Sequence, residues 1–475
     1  MNHSQQVKNK SLFSNTLSIF LARFFPSLAT TLVVIYFSRN LDKQSYGSYQ
    51  NFWIQLNVLY PVACFGLHSV MLTYAPSVLV KLKEWLSFNS YLLYGFWVIA
   101  LSIVFATVQY YSLHLHFAVS YLFLFAYALS FIIESILIVF RSFTTIVITN
   151  VLYAIAFFFF HWQMLHEGYS LQHLFACLLI LCWIRLLIYT IVTYIQFRKQ
   201  HAAEGEISIK DVRKLWLHLG VYDIVQTQSN WIDKFIISLL LSSGISAVYF
   251  NGTQNIPFLP ILLSAASSAV LLQLGNRQQG DNTNHAVLLA NQTGRLLSCV
   301  VFPLFFFLLF FRYEIYDLLY EGKYIQSVPI FFVSLFMLPI RAYSFTTILQ
   351  HKHKGGMINT GAIAELLLAC LLMYPLYHLM DLPGLALSFV ISTYLQAVFY
   401  LIVTANTLQV TFFSLIPLTN WILKLIVFAT VFIGIRYLFQ QHLSTLISLT
   451  LGTVMCIICI FISLSIELKA IKKHA

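Results

Sequence analysis

Nine charged side chains stand inside long apolar stretches of this sequence: Arg23, Glu134, Arg185, Asp223, Asp233, Lys234, Arg295, Arg341 and Glu365. A charge placed in hydrocarbon costs about 2.5–3.5 kcal/mol on insertion scales, so each needs a partner or a water-filled path. Arg23, Arg295 and Arg341 come from three separate stretches and outnumber the acids near them in sequence. A surplus of cations turned toward a cavity suits an anionic ligand. The planar guanidinium fork matches phosphate oxygens, and Lys234 would add a point charge. Glu134 and Glu365 are the candidates for proton or cation coupling, because a carboxyl group in apolar surroundings can take up and give back a proton. Buried ion pairs that fix helix register would explain the same residues, Asp233, Lys234 and the two glutamates above all. Lys424 and Arg436 lie near the ends of their stretch, where long side chains snorkel to water.

Polar residues add a face to these charges. Asp223, Gln226, Asn230 and Asp233 recur at spacings of three or four, which puts them on one side of a helix. Thr16, Arg23, Ser27 and Thr30 form a milder stripe in the first stretch. Such faces would line a cavity. His68, His161 and His218 have no metal-ligand spacing and read as polar lining. Cys456 and Cys459 form a CxxC inside an apolar run and read as packing residues. No cofactor and no metal are expected. Paired surface carboxylates, a nucleotide-binding motif and a nucleophile–base arrangement are all missing, so the sequence does not read as an enzyme.

The elements that must position these groups are membrane-spanning helices. Of the 475 residues 59% are hydrophobic and only 9% charged, against roughly 25% charged in a soluble domain. A helix needs about 20 mostly apolar residues to cross a bilayer. Fourteen such helices are predicted, near 13–38, 50–75, 88–109, 117–140, 142–163, 171–197, 215–241, 252–274, 287–311, 327–350, 357–379, 383–406, 419–439 and 443–466. The fold class is all-α and polytopic. An even number of spans leaves both termini on one side. With that side cytoplasmic, the inner segments hold sixteen Lys and Arg and the outer loops four, a clear positive-inside bias. The net charge of +11 is thereby accounted for by orientation, and no nucleic-acid partner is implied.

The chain reads as a repeat. Residues 1–197 form one six-helix bundle, 198–214 a polar cytoplasmic linker, 215–406 a second six-helix bundle, and 407–475 two further spans with a cytoplasmic tail. The Gln50–Asn51 and Gln254–Asn255 pairs lie 204 residues apart at the start of matching helices, and Asn51 and Asn255 count as polar lining. A six-helix half returns the chain to its starting side, so the halves are parallel, with a substrate path expected at their interface.

Several segments carry a resemblance. Asn15 to Ser27 with Arg23 inside it, Ile35 to Leu41, Tyr46 to Gln50, Trp231 to Ser238, and Pro339 to Arg341 followed by the loop Lys352 to Gly356 look like polysaccharide and O-antigen flippases of the Wzx type. These belong with multidrug extruders and lipid II flippases in one exporter superfamily. The resemblance implies two MATE-like bundles in a V around a cationic cavity, with two helices appended. It implies alternating-access transport of an undecaprenyl-pyrophosphate-linked oligosaccharide across the bacterial cytoplasmic membrane, in lipopolysaccharide or polysaccharide biosynthesis. Membrane lipid and a polysaccharide polymerase would be the partners, and ion coupling would be usual. Arg23 is the position that it supports best, with Arg295, Arg341 and Asp233 behind it. Two rivals stand. A multidrug extruder of the same fold would favour an acidic cavity. A membrane oligosaccharide polymerase would carry a larger external loop than residues 312–326.

Overall fold

The computed structural model describes residues 24–85, 88–201, 209–254, 283–352, 354–439 and 444–474, with a few positions between 259 and 274. Every extended element among them is helical. By length and apolar composition nine helices suffice to cross a membrane, ten if one bent pair counts as a span. The chain is a polytopic, all-α membrane protein.

Its first compact unit is Met1–Ala247. Helix α1 covers 24–40. After a two-residue break come α2 (Lys43–Cys64), α3 (Leu67–Thr73) and a short α4 (Pro76–Trp85). Four long spans follow: α5 (Phe88–Leu113), α6 (Phe117–Val139), α7 (Phe143–Glu167) and α8 (Leu171–Lys199). Helix α9 (Ile209–Leu240) packs along α2, and α10 (Ser243–Gly252) begins after a second break.

The breaks have local causes. Asp42 caps α2 by accepting hydrogen bonds from Gln44 N and Ser45 N, both at 2.9 Å, which satisfies two of the helix's orphan donors. The expected single span at 50–75 instead starts at Lys43 and bends by 54° between α2 and α3. Phe65 and Gly66 there take left-handed conformations at φ 42° and 68°. A Cβ on Gly66 would collide with the backbone of Gly220, so only glycine lets α9 approach. The carbonyl of Phe65 is taken by Trp216 Nε1 at 2.7 Å.

The two breaks share a spacing in the sequence. Helices α1 and α9 end, and α2 and α10 begin, at positions 200 residues apart, the separation of the hydrogen-bonded pair Gln44 and Gly244. In that register Tyr49 matches Tyr249 and Asn51 matches Asn251, and all four are buried. The register that paired Asn51 with Asn255 in the sequence differs from this one by four residues, and Asn255 lies outside the described residues.

The second unit is Val248–Ala475. It contains α11 (Thr283–Phe310), the short helix α12 (Arg312–Tyr320), then α13 (Val328–Leu335), α14 (Met337–Ile340) and α15 (Thr347–His351). The long spans α16 (Gly355–Met380) and α17 (Leu382–Leu408) form a tight hairpin, and α18 (Leu418–Phe439) and α19 (Thr445–His474) pack on α11. The span expected at 327–350 is broken into α13, α14 and α15. Pro339 lacks an N–H and its ring opposes the carbonyl four residues earlier, which stops a continuous helix. Residues 341–346 follow as turns.

The buried core of the first unit is aromatic. The Phe52 ring stacks on Phe175 at 4.0 Å and meets Phe123 edge-on at 5.0 Å. Tyr49 Oη and His161 Nε2 are 2.9 Å apart, and His161 Nδ1 lies 2.6 Å from the Phe157 carbonyl. His161 is thus a core residue with both ring nitrogens occupied.

The Asp42 cap lies in an exposed loop, and hydrogen bonding from Ser45 and Gln44 holds its carboxyl below the usual range. Its stabilisation is therefore complete above about pH 4 and is lost as pH falls through the depressed folded-state value. Asp42→Ala should lower the stability of detergent-solubilised protein by about 1 kcal/mol at neutral pH, whereas Asp42→Asn should keep most of it. Thermal unfolding at pH 7 and at pH 3 checks this, since the difference between wild type and Asp42→Ala should shrink in acid.

Candidate functional site

Most intramembrane charges are consumed in pairs inside a unit. Glu134 on α6 pairs with Arg185 on α8. Tyr189 Oη lies 3.0 Å from Asn150 Oδ1 and 3.3 Å from Glu134 Oε2, and the Arg185 guanidinium sits 5.2 Å over the Tyr153 ring. Glu134, named above for ion coupling, is thus a neutralised helix-register device in this structure. Asp233 and Lys234 pair with each other at 3.2 Å, and Lys234 also donates to the Asn230 carbonyl at 3.2 Å. Both are buried. Asp223 stands 3.5 Å from His68 Nε2 on α3.

The polar stripe of α9 splits accordingly. Gln226 and Asn230 are exposed, whereas Asp233 is buried. A second, unpredicted polar face of α9 is glued to α2. Gln228 Nε2 donates to the Val58 carbonyl at 2.9 Å, Gln55 Nε2 to Ser238 Oγ at 3.3 Å, and Gln109 Nε2 to Gln55 Oε1 at 2.7 Å. Asn51 donates to Ser243 Oγ at 3.3 Å, so it is an interhelical tie. On α1, Ser27 and Thr30 are exposed. Thr16, Arg23 and Asn255 lie outside the described residues.

Arg295 on α11 is not a lone cation. Its Nε and Nη2 each lie 2.8 Å from Glu467 Oε2 on α19. Glu467 Oε1 accepts from Asn420 at 2.6 Å and lies 3.0 Å from Lys424 Nζ. Lys424 Nζ also reaches the Arg295 carbonyl at 2.7 Å and Ser298 Oγ at 3.0 Å. Sequence reading missed Glu467 because the last span appeared to end at Ile466, whereas α19 runs on to His474. An acid following directly on an apolar run was the available signal. Arg436 likewise has a partner, Glu314 on α12.

Arg341 differs from all of these. It follows the Pro339 break, and among the described residues no hydrogen bond or ion pair holds its guanidinium. Arg341 is exposed. Its charge acts on Glu365 of α16. Glu365 is itself held by neutral donors of α17, Thr393 Oγ1 at 2.8 Å and Gln396 Nε2 at 2.7 Å. A hydroxyl and an amide can serve a carboxylate or a carboxylic acid, so this site tolerates both protonation states. In the turn after Arg341, Ser344 Oγ bonds Ser267 Oγ at 2.7 Å and also meets Thr347. The structure therefore brings Arg341 and Glu365 together as an open cation beside a carboxyl without a salt bridge.

The two glutamates should separate on mutation. Glu134→Gln strands Arg185 in a buried site and should cost about 3–5 kcal/mol. Glu365→Gln keeps hydrogen-bonding groups in place and should stay near wild type. Thermal unfolding in one detergent decides between them, and equal melting of the two variants would contradict the pairing.

Comparison with known proteins supplies the fold's relatives. No family model and no curated protein matches the sequence. Among solved structures, a lipid II flippase, MurJ, in an inward closed conformation superposes with a TM-score of 0.69 at 15% identity, over 97% of this chain and 99% of that one. A multidrug-resistance MATE transporter of the MOP superfamily, inward-facing, gives 0.58 at 13% identity over 83% of this chain and 98% of its own. A MOP-superfamily transporter from Pyrococcus furiosus, described by the reversed polarity of its binding pocket, gives 0.53 at 12% identity over 83% and 94%. The chain has the fold that these flippases and extruders share.

Proposed function

We propose that this chain is a flippase carrying an undecaprenyl-pyrophosphate-linked oligosaccharide, a polysaccharide repeat unit, across the bacterial cytoplasmic membrane by alternating access. The observation that carries this reading is the extent of the likeness. The lipid II flippase corresponds to 97% of the chain, whereas the multidrug-resistance MATE transporter corresponds to 83%. The exposed groups of each unit, taken separately, agree with an anionic substrate. Arg341 offers an unengaged guanidinium for phosphoryl oxygens, and Arg23 is proposed as a second cation. Ser27, Gln226 and Asn230, left exposed on their helices, suit sugar hydroxyls. The polyprenyl tail would remain in lipid.

Glu365 is the proposed coupling group. Ionised, it competes with substrate phosphate for the field of Arg341; protonated, it releases Arg341 to the substrate. Proton uptake and anion binding are linked in this scheme, and by linkage each strengthens the other. The products would go to a polysaccharide polymerase on the outer face, with both termini of this chain in the cytoplasm.

The test is deletion of the gene in its host followed by complementation. Completed lipid-linked units should accumulate on the cytoplasmic face. Wild type should restore export, and Arg341→Ala should restore at least about tenfold less at equal protein level, the loss of one charge-assisted contact. Completed but unpolymerised units on the outer face would refute the flippase and favour a polymerase. Normal glycan export with raised drug sensitivity would favour an extruder.

A further inference from the structure

The cluster of Arg295, Lys424, Asn420 and Glu467 does more electrostatically than neutralise itself. Two cations share one carboxylate, so the described groups of the cluster carry a net positive charge. The carboxylate is saturated: Oε2 meets two nitrogens of Arg295, and Oε1 meets Asn420 and Lys424. Lys424 is saturated as well, since its Nζ has Glu467, the Arg295 carbonyl, Ser298 and Cys299 within reach for three protons. Arg295 is the exception. Glu467 occupies only one side of its guanidinium, and 33% of the Arg295 side chain is exposed against 5% for Glu467. Arg295 is therefore held rigidly from behind and open in front.

Its depth in the membrane is set by its neighbours. Asn420 and Lys424 lie in the first two turns of α18, directly after the segment 409–417, which is cytoplasmic in the orientation set by charge. Glu467 precedes Lys469, which is exposed, and Lys472 and Lys473 in sequence. The open edge of Arg295 thus stands at the level of the inner-leaflet headgroups, flanked by further basic residues that raise the local concentration of anionic lipid.

We infer that Arg295 is a docking site for the phosphoryl headgroup of a lipid in the cytoplasmic leaflet. The pre-oriented fork takes two phosphoryl oxygens, while Glu467 and Lys424 keep it from swinging away. Two lipids present this chemistry: an anionic phospholipid of the bulk membrane, and a polyprenyl phosphate or pyrophosphate. In the second case the inference rests on the flippase reading and adds to it a reception site distinct from Arg341.

The experiment measures thermal unfolding of the full-length protein in detergent while phosphatidylcholine, phosphatidylglycerol or undecaprenyl phosphate is titrated in. A phosphoryl lipid that binds the native state raises the midpoint. Arg295→Gln should shift the half-saturating concentration at least about tenfold upward. Glu467 retains Lys424 and Asn420 in Arg295→Gln, so the fold should hold. Arg295→Lys, which keeps a charge for Glu467 but loses the second edge, should weaken the response in the same direction and stands in should the first variant not fold. A response to both anionic lipids supports a general headgroup site, and one to undecaprenyl phosphate alone supports substrate reception. No anionic response beyond that to phosphatidylcholine, or one that survives both Arg295 variants, overturns the inference. The flippase reading fails separately, on normal oligosaccharide export in the deletion strain.

Discussion

A charge in hydrocarbon must be neutralised or reach water, and the structure is arranged around that demand. Among the described residues Glu134 goes to Arg185, Asp233 to Lys234, Arg436 to Glu314, and Glu467 to Arg295 and Lys424 together. Each pair joins helices or stiffens one, and each fixes rotation about a helix axis, since turning either partner away would bury a bare charge. With that demand met elsewhere, the group that escapes it becomes informative. Arg341 is accessible, lies at the end of a helix broken by proline, and faces Glu365 without closing on it. Irregular backbone at membrane depth is tolerated where it lines a cavity.

Neutral polar groups do the complementary work. Gln109, Gln55 and Ser238 form a chain of side-chain hydrogen bonds from α5 through α2 to α9, and Trp216 closes the carbonyl that the α2–α3 bend leaves free. Interhelical bonds of this kind are worth about 0.6 kcal/mol each on average in a membrane. Their value is placement: they hold α9 to α2 in one register, so that Gln226 and Asn230 are the residues left uncovered.

Hydropathy made the spans legible because a run of apolar residues is a property of one segment. The spans at 117–139 and 382–408 fall within a few residues of their expected limits. Breaks were less legible. The bend at Phe65–Gly66 depends on the close approach of Gly220, and the true repeat register depends on where α1 and α9 stop. Both are facts of packing. Partnership was the least legible, because it joins residues far apart in sequence: Glu134 to Arg185 across 51 positions, and Arg295 to Glu467 across 172. Counting arginines against nearby acids placed Arg295 among the unpaired cations for that reason.

The long separation of Arg295 and Glu467 has a consequence for biogenesis. During translation the two cations leave the ribosome before their shared counter-ion, Arg295 by 172 residues. Until Glu467 is synthesised, α11 and α18 carry positive charges without it, and such charges favour the membrane rim, where long side chains reach water. Those charges act as temporary anchors that keep both helices from sinking or inverting while the rest of the chain is threaded. The arrival of Glu467 retires the anchors and locks α19 against α11.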